Sequence, residues 1–190
     1  FMDELAVAAG QDPLEYRLAL LEKKQPRYWA VLRAAAREAR YGQLAKGHRH
    51  GVAVMEGYGT YMAQIADCSI ENGKLRVHHI YCAVDCGQAV HPNNIVAQVE
   101  SSIIFGLSAA LWGQIDIAAG RVQQTNFDRY RTLRLPEIPK ITTYLTDSAE
   151  PPGGIGEPAT ALVAPAVGNA LYMLTGKRVR SLPFARHGYA

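Results

Sequence analysis

The chain is short of charge, of cysteine and of long apolar runs, and each shortage closes off a class of protein. Charged residues make up 19% of the 190 and the net charge is +3. With Lys and Arg scattered rather than striped, that excess is too mild for a nucleic-acid partner. The three cysteines, Cys68, Cys82 and Cys86, are an odd count and cannot build a full disulfide framework. The longest apolar runs are too short or too interrupted to span a bilayer. Neither a signal peptide nor a twin-arginine pattern is visible at Phe1. Because the first residue is not Met, this leaves the compartment open between cytoplasm and periplasm. What is present is a globular balance, 48% hydrophobic, in a chain long enough to bury a core.

Phe1–Glu22 reads as helix, with Leu5, Ala8, Ala9, Leu14, Leu18 and Leu21 near helical spacing. It breaks at Gln11-Asp12-Pro13, where Gly10 ends one helix and Asp12 caps the next. Pro26 is expected to stop the second helix, and Tyr28–Arg40 to form a third that ends near Gly42. Lys46–Gly51 is a basic turn. His48 and His50, two apart with no acid beside them in sequence, read as solvated rather than metal-ligating. Gly51–Ala66 is β-prone, with Gly57 and Gly59 marking a bend or bulge. Asn72-Gly73 between Ala66–Ile70 and Lys74–Val84 is a hairpin signal. Cys82 and Cys86 share one face of a continuing strand. With no second pair to complete a metal site, they read as buried, inert thiols.

Pro92–Trp112 is a helix with Ile95, Val99, Ile103, Leu107 and Ala110 on its apolar face. A second hairpin turns at Ala119-Gly120. Asn126–Pro139 has no period, so it is either a functional loop or a surface crossing. Ile141–Thr146 is a short strand. Ala159–Thr175 is a last helix ended by Gly176, with Lys177, Arg178 and Arg180 placed to complement its C-terminus. The order of elements gives an α+β fold, divided as a helical segment 1–45 and a hairpin-rich α+β domain 46–190.

The most informative stretch is Pro151–Asn169, PPGGIGEPATALVAPAVGN. Gly153, Gly154 and Gly156 allow close backbone approach or positive φ. Glu157 follows directly, and Pro158 suits the first turn of a helix. No Lys-Ser/Thr pair follows, so as a phosphate cradle the motif is weak. On pattern alone it reads either as a glycine-rich turn capping the helix that follows or as a loop presenting one acid beside a bound group at the mouth of that helix.

With these residues in view, the chain resembles the molybdenum-binding large subunit of the xanthine dehydrogenase/aldehyde oxidase family, in the branch typified by the isoquinoline 1-oxidoreductase β subunit. The likeness is carried by Ala83–Pro92 (AVDCGQAVHP), Ala97–Gly113 (AQVESSIIFGLSAALWG), Gln124–Leu135 (QTNFDRYRTLRL), Pro151–Pro158 and the segment from Ala164, with Phe1–Leu21 also fitting. It covers only the C-terminal portion of such a subunit.

The resemblance implies a molybdenum-dependent oxidoreductase that hydroxylates an aldehyde or N-heteroaromatic substrate with water-derived oxygen, hydride passing to the molybdenum centre. It makes Glu157 the catalytic base, with Gln98, Gly156 and Gly154 as cofactor-binding residues and no protein ligand to the metal. It implies a molybdenum–pterin cofactor in its cytosine dinucleotide form, held in a site that this chain leaves incomplete. The partners implied are the upstream part of the subunit or a sister chain, and a small 2Fe-2S subunit. A small-molecule substrate is expected, and no nucleic acid. The chain alone is expected to be inactive. It departs from the family at Ser101-Ser102, where Gly-Gly is usual, at His91, where Asn is usual, and at Ala159-Thr160-Ala161. Two other readings compete: an assembly module that needs a sister chain, and a small metal- or nucleotide-binding protein using His48/His50 or the glycines.

Overall fold

A computed structural model describes all 190 residues. Helices α1 (Met2–Ala8), α2 (Pro13–Leu21) and α3 (Pro26–Glu38) come first. Strands β1 (Arg49–Gly57), β2 (Thr60–Glu71) and β3 (Lys74–Asp85) then form an antiparallel meander. Helix α4 (Pro92–Trp112), the small hairpin β4 (Ile117–Ala118) and β5 (Arg121–Val122), strand β6 (Lys140–Leu145) and helix α5 (Ala159–Thr175) complete the chain. β6 returns parallel to β3, giving the sheet order β1-β2-β3-β6.

The strands are buried on both faces, and their alternation decides what packs where. Met62, Ala66, Ile80, Cys82 and Val84 point to one face and form the larger core with Val99, Ile103 and Leu107 of α4 and with Val163, Val167 and Leu171 of α5. Ala63, Ile65 and Ala83 point to the other face, against Val31, Leu32 and Ala35 of α3 and Leu14 of α2. The fold is therefore α+β as expected, with the sheet between two helical layers.

Local chemistry sets the ends of the elements. Asp12 Oδ1 accepts from the Leu14 amide at 2.8 Å, and Pro13 opens α2. α2 ends at Leu21, and Pro26 opens α3 instead of closing the helix before it. α4 and α5 have the bounds expected, and Gly176 closes α5 at φ +70°. The cysteines are free and buried, and burial pushes the Cys82 thiol up to about 12.

Three expectations change. α4 has 21 residues, and an 18-residue window of it has a mean hydropathy of 1.5, long and apolar enough to cross a membrane by length and composition. Here one face of it is packed in the core. His48 and His50 are not a solvated pair. His50 is buried in β1, and the β1–β2 register brings Asp67 within 2.8 Å of His48 Nδ1. No cluster of three metal-ligating side chains forms. The basic residues after α5 tie down the tail: Arg178 lies over the Tyr172 ring and donates to Asn169, and Arg180 pairs with Glu4.

Gly51 on β1 marks the tightest contact of the sheet with α5. A Cβ there would lie 2.0 Å from the Ala166 carbonyl oxygen, which is backbone and cannot swing away. Gly51→Ala is expected to destabilise the chain by about 2–3 kcal/mol through forced separation of β1 from α5. Chemical denaturation checks this, with a fall in midpoint at unchanged slope.

Candidate functional site

The glycine loop is fastened to two strand ends. The Thr146 amide donates to Val84 O at 2.9 Å, Gln88 N to Glu150 O at 2.9 Å, Gly153 N to Cys86 O at 2.8 Å and Gly154 N to Tyr58 O at 2.8 Å. Close approach is what the glycines provide. A Cβ on Gly153 would meet Thr60 Oγ1 at 2.6 Å, one on Gly154 would meet Tyr58 Cβ at 2.9 Å, and one on Gly87 would meet Pro151 O at 2.1 Å. None of Gly153, Gly154 and Gly156 has positive φ. The missing Cβ of Gly153 and of Gly154 therefore makes room for the chain's own strand ends. Gly156 is different: nothing lies within 4 Å of where its Cβ would be.

The far end of β3 is locked by charge. Arg27 grips Asp85 with Nε–Oδ2 at 2.7 Å and Nη2–Oδ1 at 2.8 Å, and Asp85 Oδ1 also accepts from the Gly87 amide. The Arg27 hydrogen bonds, more than any other cause, hold the Asp85 carboxyl below its ordinary value. This pins the Cys86-Gly87 turn on which the loop rests.

Glu157 is exposed at the surface, and the Tyr58 hydroxyl donates to its Oε1 at 3.0 Å. That hydrogen bond, followed by the carboxylate charge, raises the Tyr58 phenol above its ordinary value. Behind the acid, Gln64 is fully buried on β2 and donates Nε2 to Ala159 O at 2.8 Å, fixing the first turn of α5.

Gln98, on the second turn of α4, faces a cleft of about 310 Å³. Cys86, Gln88 and Val90 line it from the turn after β3, His91, Asn94 and Ile95 from the start of α4, and Pro152, Gly153 and Ile155 from the loop. The fold thus brings Gln98 and the glycine loop to one concavity, while Glu157, Gly154 and Gly156 lie outside its lining. The departures from the family pattern have local roles. His91 Nδ1 accepts from Asn94 N at 3.2 Å and caps α4, the role an Asn side chain serves well. Ser102 is buried toward α5, and its carbonyl accepts from Thr160 Oγ1.

Sequence reasoning missed Tyr58, Gln64 and the Arg27–Asp85 pair. A polar Gln inside an apolar strand was a readable signal for Gln64. The other two depend on contacts distant in the chain.

The molybdopterin cofactor-binding domain family matches residues 6–139. This chain belongs to that family. It is 32% identical over 188 residues to the beta subunit of isoquinoline 1-oxidoreductase from Brevundimonas diminuta, covering 96% of this chain and 24% of that one. It is 31% identical over 204 residues to a nicotinate dehydrogenase subunit of Pseudomonas putida, covering 96% and 17% respectively. The chain thus spans a quarter or less of the length of these relatives. Among solved structures, quinoline 2-oxidoreductase from Pseudomonas putida matches with a TM-score of 0.57 at 19% identity, over 66% of this chain and 17% of that one. Aldehyde oxidoreductase from Desulfovibrio desulfuricans matches with a TM-score of 0.56 at 23% identity, over 65% and 14%. These likenesses bear on the fold alone, which those proteins share with about two thirds of this chain.

The residues fit part of such a cofactor. The cleft falls at the small end of ligand sites. Gln88, Asn94 and Gln98 are among its lining residues, and their side chains carry amides of the kind that would suit the oxygen- and nitrogen-rich edge of a pterin. Gly156 leaves open space beside the acid.

The Asp85 carboxylate gives a pH test of the loop's foundation. A depressed folded-state value means its contribution is present above the ordinary value of 3.8 and is lost as pH falls through the lower folded value. The melting temperature should therefore drop as pH falls from 3.8 through that lower value. In Arg27→Gln this component should be much reduced, as thermal melts across the range will show.

Proposed function

We propose that this chain supplies the general base and part of the pterin-binding surface of a molybdenum-dependent oxidoreductase acting on an aldehyde or N-heteroaromatic substrate. The observation that carries the reading is the convergence of Gln98 with the glycine loop on one cleft, with Glu157 immediately after that loop. The cofactor, in its cytosine dinucleotide form, would supply the two-electron redox chemistry. The Gln98 amide would hydrogen-bond the pterin. Gly156 would let the backbone lie against the cofactor, while Gly154 seats the loop and keeps its amide in register. Glu157 would take up a proton at its carboxylate as water-derived oxygen is delivered to the electron-poor carbon of the substrate.

An exposed base and a cleft open on one side call for more polypeptide to exclude water. We assign that role to a sister chain or to the remainder of a longer subunit, and the onward passage of electrons to a small 2Fe-2S partner. The exposure of Glu157 also supports a second reading, an assembly module that keeps the fold without the chemistry. Metal and pterin analysis of the assembly separates the two: the enzyme reading requires both groups, and the module reading requires neither.

In the assembled enzyme, Glu157→Gln should lower turnover by a factor on the order of 10²–10⁴ while molybdenum and pterin content stay normal. Turnover near wild type would remove Glu157 from the base role. Gln98→Ala should lower pterin occupancy, measured by release and fluorescence of the oxidised pterin. Full occupancy would count against that contact.

A further inference from the structure

We propose that Tyr58 is the positioning residue for Glu157, its hydroxyl orienting the carboxylate and its backbone carbonyl seating the loop that carries it. The proposal rests on the reading of Glu157 as base and assigns the group that aims it.

Three observations converge on this residue. Tyr58 makes two separate contacts with the loop, accepting from Gly154 N at 2.8 Å through its carbonyl and donating to Glu157 Oε1 at 3.0 Å through its hydroxyl. With the loop held at residue 154 and the acid held at residue 157, the segment between them has little freedom. Gly154 is also the residue whose Cβ would collide with Tyr58 Cβ, so the two positions are matched in shape as well as in hydrogen bonding.

The backbone gives the third observation. Gly57 pairs with Thr60, so Tyr58-Gly59 is a two-residue hairpin turn, with φ of +59° and +78°. The β2–β3 hairpin turns in the same way at Asn72-Gly73, with φ of +51° and +77°. Asn-Gly is the pair this turn favours, whereas a bulky residue at positive φ is an outlier. Burial does not explain the choice, since Tyr58 is 68% exposed. The turn tolerates a tyrosine it does not favour, and what the side chain reaches is the carboxylate. With Oε1 engaged, Oε2 is left free to meet the reacting proton.

The contact is tested in this chain by following the tyrosine ring resonances against pH with ¹³C-labelled tyrosine, Tyr58 being assigned as the signal missing from Tyr58→Phe. The Tyr58 phenol should titrate above an ordinary tyrosine in the wild type and move down in Glu157→Gln. A phenol that ignores Glu157→Gln overturns the positioning role and leaves the base assignment standing. In the assembled enzyme, Tyr58→Phe should retain its molybdenum and pterin, lose roughly tenfold in kcat and leave KM nearly unchanged. Tyr58→Asn, which suits the turn better, should fold at least as well and show a similar loss. Wild-type turnover in both variants overturns the proposal. Turnover that survives Glu157→Gln overturns the base assignment itself, and the positioning role with it.

Discussion

The site depends on a backbone seam. Two amides of one loop, Gly153 N and Gly154 N, are donated to the carbonyls of Cys86 and Tyr58, which stand at neighbouring strand ends. The seam closes only because three positions carry no side chain, as Gly87 and Gly153 would otherwise strike backbone and Gly154 the Tyr58 Cβ. Such contacts are short and directional, and two of them on successive residues fix both the position and the orientation of the loop. Glu157 stands where it does because the preceding residues are held on both sides.

The rest of the molecule supports that seam. The sheet is covered on both faces, so the strands cannot slip by one residue without exchanging their core and opposite-face sets. α4 and α5 cross closely at Gly106, where a Cβ would meet Thr160 O at 2.7 Å, and Thr160 Oγ1 returns a hydrogen bond to Ser102. Gln64 fixes the start of α5 from below, and Arg27 with Asp85 fixes the end of β3. These anchors lie on different elements, and together they set the distance between the start of α4 and the glycine loop, which is the width of the cleft.

Much of this architecture was legible because its signals are local. Pro92 opens α4 and Gly176 closes α5 where the pattern places them, and Asn72-Gly73 forms the hairpin its chemistry demands. Gln98 and the glycine loop could be named from motif likeness, but their shared cleft could not, since it depends on how α4 and α5 cross. The glycines were legible as places of close approach but not as to what approaches. For Gly153 and Gly154 it is the chain's own strands. The Tyr58-Gly59 turn was hidden inside a β-prone run whose two glycines suggested only a bend. His48 and Asp67 meet through strand register, which local composition does not report.

The sequence separation of these partners has a kinetic consequence. The hairpins of the meander close over short loops, whereas Tyr58 and Glu157 lie 99 residues apart. Contacts between distant segments form late, after the elements between them are in place. The loop bearing the acid is therefore seated by contacts that need the meander already formed, as is α5, whose Asn169 donates to Val52 O from 117 residues away. The rim of the site therefore exists only when the first hairpin and the segment leading into the last helix are both in place.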